Sequence, residues 1–510
     1  MIVVFGCVKE WPGADNRIMR RLTKAERQLW RAFPSGGTVQ LGPILPRMDG
    51  AGTSAPDDGH LWGPERTVRA EVVAALLLGA VEADPGRVPA LRLRGARVVG
   101  VLDLRGGEVK HEVELKGCHL DEVVQMSGCT SRTIRLVDCH LPGVMASGLR
   151  VSGHLSLSGS HVTGAVRMAR ATFESGLWLA GTRIDGDGTW ALYAHSMVVD
   201  SGLLMRNAHF TGATSLVGAR ANNGIELDGT TLVNPGKDAF TGDNMIVEDI
   251  MRFGVGFTAH GCVRLRGSRF NGTLMMAGKV TSPDTEYALH LGGIEARELW
   301  LGPEEPIDGV ITLGHSRVGT FFDDHRVWSS KIRLNGLTYE RLRGGNMRGR
   351  IGWVGRDPEG FRPQPYEQLA AWYIRDGNEV LARRAQLAKA RAWRRHRSGP
   401  GGRFFGALLD MTVGYGYRPW LATIWFGSLL AVGTAIFWTN PPRAVKPDES
   451  PIFEPFAYTF DLLLPVSLFG QRDMFDPAGW TQGFAYGLII MGWVLVTALI
   501  AGATRVLRPG

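Results

Sequence analysis

The chain of 510 residues contains only five cysteines, Cys7, Cys118, Cys129, Cys139 and Cys262, and no two of them form a CxxC pair. That excludes zinc ribbons, thioredoxin-type dithiols and CxxCH haem attachment, all of which need closely spaced thiolates. HExxH, the Walker A loop, GxSxG and a GxGxxG following a strand are also missing, so the usual zinc-protease, nucleoside-triphosphatase, serine-hydrolase and dinucleotide signatures are not found. Lysine is scarce, supplying 9 of the 57 basic residues; this imbalance reflects GC-rich bacterial coding more than a binding role. The first residues, MIVVFGCVKEW, have neither the basic start nor the apolar length of a secretory signal.

What the chain does have is a beat. Pairs of apolar residues two apart recur every eleven residues: Leu91/Leu93, Leu102/Leu104, Val113/Leu115, Val124/Met126, Ile134/Leu136, Leu155/Leu157, Val166/Met168 and Leu177/Leu179. Spacing of two puts both side chains on one face of a strand. Five residues into each unit stands a small residue, such as Ala96, Gly107, Cys118, Cys129, Cys139 or Ser160. Two further on an apolar residue returns, as at Val98, Val109, Leu120 and Leu141. A unit this short accommodates two strand segments and two corners, so two units make one coil of about 22 residues. The pattern predicts a mainly β chain built on a right-handed parallel β-helix over residues 88–340, with helices over 1–87 in front of it. Insertions near 186–200, 234–249 and 281–298 interrupt the beat and are expected as loops. Cys118, Cys129 and Cys139 fall on the small-residue corner and read as core packing.

The C-terminal part, 404–510, reads as a membrane domain. Residues 420–438 and 482–504 carry no charge, and as helices they reach ~28–34 Å, enough to cross the hydrocarbon core. Trp420, Trp438 and Trp480 stand at their ends, where indole favours the interface. Arg383, Arg384, Lys389, Arg391, Arg394, Arg395 and Arg397 precede the first run, and Arg505 and Arg508 close the second. The loop between has only Arg443, Lys446 and Arg472. The positive-inside rule then places the β-helix and both termini in the cytoplasm of a bacterium, at its inner membrane. The net charge of +8 is concentrated in this stretch, where residues 366–418 hold ten basic and four acidic side chains. The basic segment points to anionic headgroups rather than nucleic acid.

Inside the loop, residues 452–470 (IFEPFAYTFDLLLPVSLFG) are too short and interrupted to span. They read either as an amphipathic helix on the outer interface or as a re-entrant pore element of a homo-oligomer, with Asp461 at a pore mouth. Thr412–Gly416 spells TVGYG, the letters of a potassium filter, but it precedes the first span and reads as an elbow into the bilayer. Residues 364–398 predict a basic α-hairpin that caps the last coil.

Few residues present themselves for chemistry. Phe321-Phe322-Asp323-Asp324-His325 is the densest acid and histidine cluster; Asp323, Asp324 and His325 are metal candidates, set against a simple turn. His111, His119, His140, His154, His161 and His209 read as solvated ladder residues, and Asp185 and Asp187 as a turn.

The stretches LTKAERQLWRAF, VRAEVVAALLLGA, PALRLRGARVVGVLDL, PQPYEQLAAWYIRDGNEVLAR and TVGYGYRPW, followed by two runs around FAYTFDLLLPVSLFGQ, resemble a family of large actinobacterial membrane proteins with pentapeptide-like repeats. Members are often labelled membrane-associated oxidoreductases. The resemblance implies architecture over residues ~20–505 and brings no catalytic residues with it. The residues themselves read first as a membrane-anchored scaffold or interaction protein without a cofactor, binding lipid and a protein partner on the β-helix surface. An oligomeric channel is the second reading and the oxidoreductase of the family label the third.

Overall fold

The structure, a computed structural model, describes residues 22–43, 56–324, 327, 331–397, 420–446 and 451–507. The chain divides into two compact units, Met1–Gln368 and Leu369–Gly510.

The first unit is the expected parallel β-solenoid, with about 11 turns of about 22 residues. One coil shows how two eleven-residue units build it. Val113 and Leu115 lie on the strand Glu112–Lys116, Cys118 occupies the corner, and Leu120 closes the next short strand. The second unit repeats this with Val124–Gln125, the corner Cys129, and Thr130–Ser131. Each coil is therefore four-sided. The following coil sets Ile134 on Val113, Leu136 on Leu115, His140 on His119, Val144 on Val124 and Arg150 on Thr130, all in parallel register. Apolar residues from all four sides meet in a core in which Leu115, Leu136, Leu157, Leu179, Leu141 and Val166 are fully buried.

The corners explain why the fifth residue is small. Ser160 Oγ donates to the Leu136 carbonyl one coil earlier and accepts from the Cys139 N–H. Ser268 and Ser316 make the same double contact, and Thr182 donates to Leu157 O. Cys118 and Cys139 are free thiols whose sulfurs point at the carbonyls of Leu93 and Leu115. A short donor thus satisfies a buried carbonyl that a larger side chain would displace. The residue before each corner turns through positive φ. Glycine takes this position at Gly117, Gly128 and Gly159, while Asp138, Arg170, Asn207 and His315 take it without that freedom.

The interruptions are smaller than expected. Most of 186–200, 234–249 and 281–298 stays on the coils: Val198–Val199 and Ile246–Val247 pair in register on both sides. What leaves it is short: the bulge between Val233 and Asp238 and the turns at 186–189 and 282–288.

Outward side chains form ion pairs between coils. Arg135 bridges Glu112 and Glu114, which also bind Arg92 and Arg94; Arg252 bridges Glu226 and Asp228. Much of the arginine is spent here, each pair contributing ~0–1 kcal/mol.

At the N-terminal end, helix α1 (Lys24–Ala32) starts with a reciprocal cap between Thr23 and Glu26. The buried Glu26 carboxylate also receives two side-chain N–H groups and the backbone N–H of Arg69. The solenoid begins earlier than residue 88, because Thr38–Gln40 pairs with Ala90–Arg94, and Thr67–Arg69, just before α2 (Ala70–Leu77), pairs with Arg97–Val99. At the far end, α3 (Met347–Val354) packs Trp353 against Phe321. The start of α4 (Pro363–Arg375) docks on the last coil: Gln364 bonds Gly336 N and Leu337 O, and Gln368 donates to Tyr339 O.

In the second unit, α5 (Glu379–Arg397) carries the basic segment. Helices α6 (Trp420–Thr439), α7 (Pro455–Leu463), α8 (Gln471–Met474) and α9 (Trp480–Leu507) follow. A two-strand pairing of Arg443–Ala444 with Phe475–Asp476 ties the two ends of the loop.

Candidate functional site

Among the described residues, two helices are long and apolar enough to cross a membrane, Leu421–Thr439 and Trp480–Thr497. Both leave most of their surface unburied, with Ile424, Val432, Ile490 and Val494 exposed. Helix α7 packs on both. Phe437 of α6, Tyr458, Leu462 and Leu463 of α7, and Ala485 and Leu488 of α9 form one apolar cluster with Phe475. Glycine makes the approach possible at two places. A β-carbon on Gly433 would stand 2.4 Å from the Thr459 methyl, and one on Gly492 would stand 2.1 Å from the Leu463 carbonyl oxygen. Gly492 lies twelve residues beyond Trp480, or ~18 Å along the helix axis.

Asp461 does not sit on an open surface. It is fully buried. Its Oδ1 accepts from the N–H groups of Leu468 (2.8 Å) and Phe469 (3.0 Å), and its Oδ2 from Ser467 Oγ (2.8 Å) and the Gln471 N–H (2.9 Å). One carboxylate thereby folds the return segment 464–471 back on α7.

On α5, Arg383, Arg384 and Arg395 are exposed, and Lys389, Arg391 and Arg394 half-buried; Arg383 pairs with Glu379. The Arg397 side chain, His325 and the segment 404–419 with its TVGYG letters lie outside the described residues.

The cluster at residue 323 is divided. Asp323 is buried and accepts two N–H groups of the buried Arg350, at 3.0 and 2.7 Å. Asp324 donates its backbone N–H to Leu301 O. The Asp323 carboxylate is therefore engaged in fastening α3 to the solenoid end.

A second cluster forms where the sequence offered solvated histidines. His119, His140 and His161 stand in register on three successive coils, and a turn from outside the coils, residues 56–61, covers them. His119 is buried; its Nδ1 lies 2.9 Å from Pro56 O, and its ring stacks on His140 at 4.4 Å and 7°. Gly59 lies so close that a β-carbon there would meet His119 Cβ at 2.3 Å. Asp57 Oδ1 reaches His140 Nδ1 (2.9 Å) and His161 Nδ1 (2.7 Å) together. On the far side of its ring, His161 Nε2 contacts Asp185 Oδ2 at 2.7 Å, and Arg183 holds the other oxygen of that carboxylate. Burial raises the Asp57 carboxyl pKa, but the two imidazoles beside it, His140 and His161, outweigh burial and hold the group below its ordinary value. Burial pushes the His119 pKa down. The signal in the sequence was the interval of 21 residues between the three histidines. The partner Asp57, far away in the chain, had none. Asp187 does make the expected turn, accepting the Thr189 and Trp190 N–H groups.

Comparison of the chain with protein-family models, with curated proteins and with solved structures finds no match in any of the three.

Proposed function

We propose that the protein is a membrane-anchored scaffold that presents its β-solenoid as an interaction surface on the cytoplasmic side of a bacterial inner membrane. The observation that carries this reading is the apolar helix pair with its internal buttress. Helices α6 and α9 keep apolar side chains on their outer faces and use α7 to fill the space between them, as a small hairpin in lipid requires. The basic helix α5 before the first span matches anionic headgroups, and the sparse charge of the loop sets the orientation. The solenoid supplies stacked outward ladders to which a protein partner binds.

Two cysteine placements test the orientation in a Cys7→Ser background. Val445→Cys, in the loop, should react with a membrane-impermeant maleimide in spheroplasts, and Ser175→Cys, on an outward turn of the solenoid, should react only after lysis. The reverse pattern overturns the orientation, and labelling of both in intact spheroplasts overturns the anchoring.

A channel is the second reading. It is favoured by the depth to which α7 descends between the helices, which in a bilayer makes 452–470 re-entrant rather than interfacial. Against it, Asp461 has its oxygens engaged by its own chain. Purified protein that is monomeric in lipid and passes no current would remove the channel reading. The oxidoreductase label is tested by the absorbance spectrum of the purified protein, where a bound flavin or haem would support it.

A further inference from the structure

The contact between Asp57 and two ladder histidines poses a question of protons. A neutral imidazole has one N–H and one lone pair. His161 faces a carboxylate oxygen from each of its nitrogens, Asp57 Oδ1 at 2.7 Å and Asp185 Oδ2 at 2.7 Å. With its one proton given to Asp185, Nδ1 presents a lone pair to an anionic oxygen. A metal ion bound by both atoms removes that repulsion. The same oxygen also faces Nδ1 of His140, and the three donor atoms lie within 4.8 Å of one another, close enough to share one metal ion.

We propose that Asp57, His140 and His161 bind a divalent transition-metal ion of the zinc class, which pins the turn 56–61 to the histidine ladder. Two imidazole nitrogens and one carboxylate oxygen are a donor set suited to this ion. The support behind the donors has the matching form. Asp185 takes the outer N–H of His161, which fixes the tautomer and turns the Nδ1 lone pair inward, as carboxylates behind metal-bound histidines do. Arg183 in turn holds Asp185. His140 is set by the stack with the buried His119. The solenoid thus provides two ring donors from adjacent coils on a rigid ladder. The exposed member is Asp57, whose side chain is 56% accessible to solvent. Tetrahedral coordination at ~2.0–2.1 Å needs the donors ~3.3 Å apart, and small movements of Asp57 and of the two rings bring them to that spacing. Water completes the coordination on the exposed side. The role follows from the positions of the donors: Asp57 lies 83 and 104 residues from its partners, so the ion joins the start of the chain to the flank of the column.

The experiment uses the full chain in detergent, stripped with a chelator and titrated with Zn²⁺ by calorimetry, with Co²⁺ as a spectroscopic probe. The proposal expects about one saturable equivalent per chain and visible d–d absorption of the Co²⁺ form. Asp57→Asn and His161→Ala should each abolish that equivalent, while His154→Ala, outside the cluster, should retain it. Asp57→Asn replaces an exposed carboxylate by its isostere and keeps the fold, which circular dichroism verifies. Zn²⁺ should also slow proteolysis at the turn 56–61 in the native chain and not in Asp57→Asn. Failure of the stripped chain to take up Zn²⁺, or uptake unchanged in both variants, overturns the proposal. In the first case the turn 56–61 is held on the ladder by the Asp57 contacts alone.

Discussion

Replacing Asp461 by alanine separates a structural carboxylate from a pore-lining one. In the folded chain the group accepts three backbone N–H groups and one hydroxyl. A hydrogen bond to a charged acceptor contributes ~1.5–3 kcal/mol, and an orphaned buried donor costs ~1–3 kcal/mol. Of the three amides, Gln471 is buried, while Leu468 and Phe469 have exposed side chains, and their amides recover part of the loss by bonding to water. The working sum for Asp461→Ala is ~3–5 kcal/mol of local stability in the return segment. Asp461→Asn is milder. Its one oxygen can keep the Leu468 and Phe469 amides, Ser467 can reverse its hydroxyl to accept, and the Gln471 amide is left facing an NH₂ group, so the cost is ~1.5–3 kcal/mol. The assay is hydrogen exchange read by mass spectrometry on peptides covering 464–475, in nanodiscs. At ~1.4 kcal/mol per decade, the Gln471 amide should exchange at least about tenfold faster in the asparagine variant and about a hundredfold or more faster in the alanine variant. A pore-mouth carboxylate predicts the opposite pairing, with cation conductance lost and exchange unchanged. Unchanged exchange in Asp461→Ala would refute the geometry from which these numbers come.

Three further outcomes follow from other parts of the chain. Leu157→Asp places a carboxylate in the fully buried stack and should cost at least ~3 kcal/mol, with proteolysis spreading through neighbouring coils, because repeats are stabilised by their neighbours; an unchanged digestion pattern would mean the register is wrong. Burial works to raise the Glu26 pKa, but hydrogen bonds and charge from Arg69, with the Thr23 N–H, hold it below its ordinary 4.5. Its contribution should therefore be full above pH ~4.5 and fade as pH falls through the lower folded value. Glu26→Gln should flatten that part of the acid-stability curve. Burial pushes the thiols of Cys129 and Cys262 up to about 11 and about 12, so in Cys7→Ser protein neither should be alkylated by iodoacetamide at pH 8 until denaturant is added; rapid labelling of the native chain would show that the corners open.

The solenoid was legible because its constraint is repeated. Leu115, Leu136 and Leu157 occupy equivalent inward positions, so an apolar pair two residues apart, a small corner and a returning apolar residue stand out against any single exception. The corner donors were visible as size alone; that Ser160 and Thr182 satisfy carbonyls of the preceding coil needs the register. The strands Thr38–Gln40 and Thr67–Arg69 were hidden because three residues hold no period, and they are strands only because Ala90–Arg94 and Arg97–Val99 offer an edge. The two long apolar helices were legible from length and hydropathy. The burial of Asp461 was not, since its partners are mostly backbone N–H groups, which leave no mark on the sequence. The engagement of Asp323 by Arg350 was hidden too, because that partner stands 27 residues on, in helix α3.

The same logic says where in such a chain to look for function. Inward positions are fixed coil after coil by packing, so variation there is limited to volume. Outward positions are free, and at several places on this column they are filled by charges that neutralise one another across the 4.8 Å step between coils: Arg92 with Glu112 and Arg135, Arg97 with Asp121, Arg269 with Glu295 and Arg317. The register Arg97, His119, His140, His161, Arg183 and His209 departs from that rule on one side. Its three consecutive histidines have no acidic rung between them. The compensating carboxylates come from elsewhere, Asp185 from the turn after the ladder and Asp57 from the segment laid across it. Three imidazoles in register, one buried and two facing a single carboxylate oxygen, are the ground for the proposed metal site, and Asp57→Asn is the substitution that tests it.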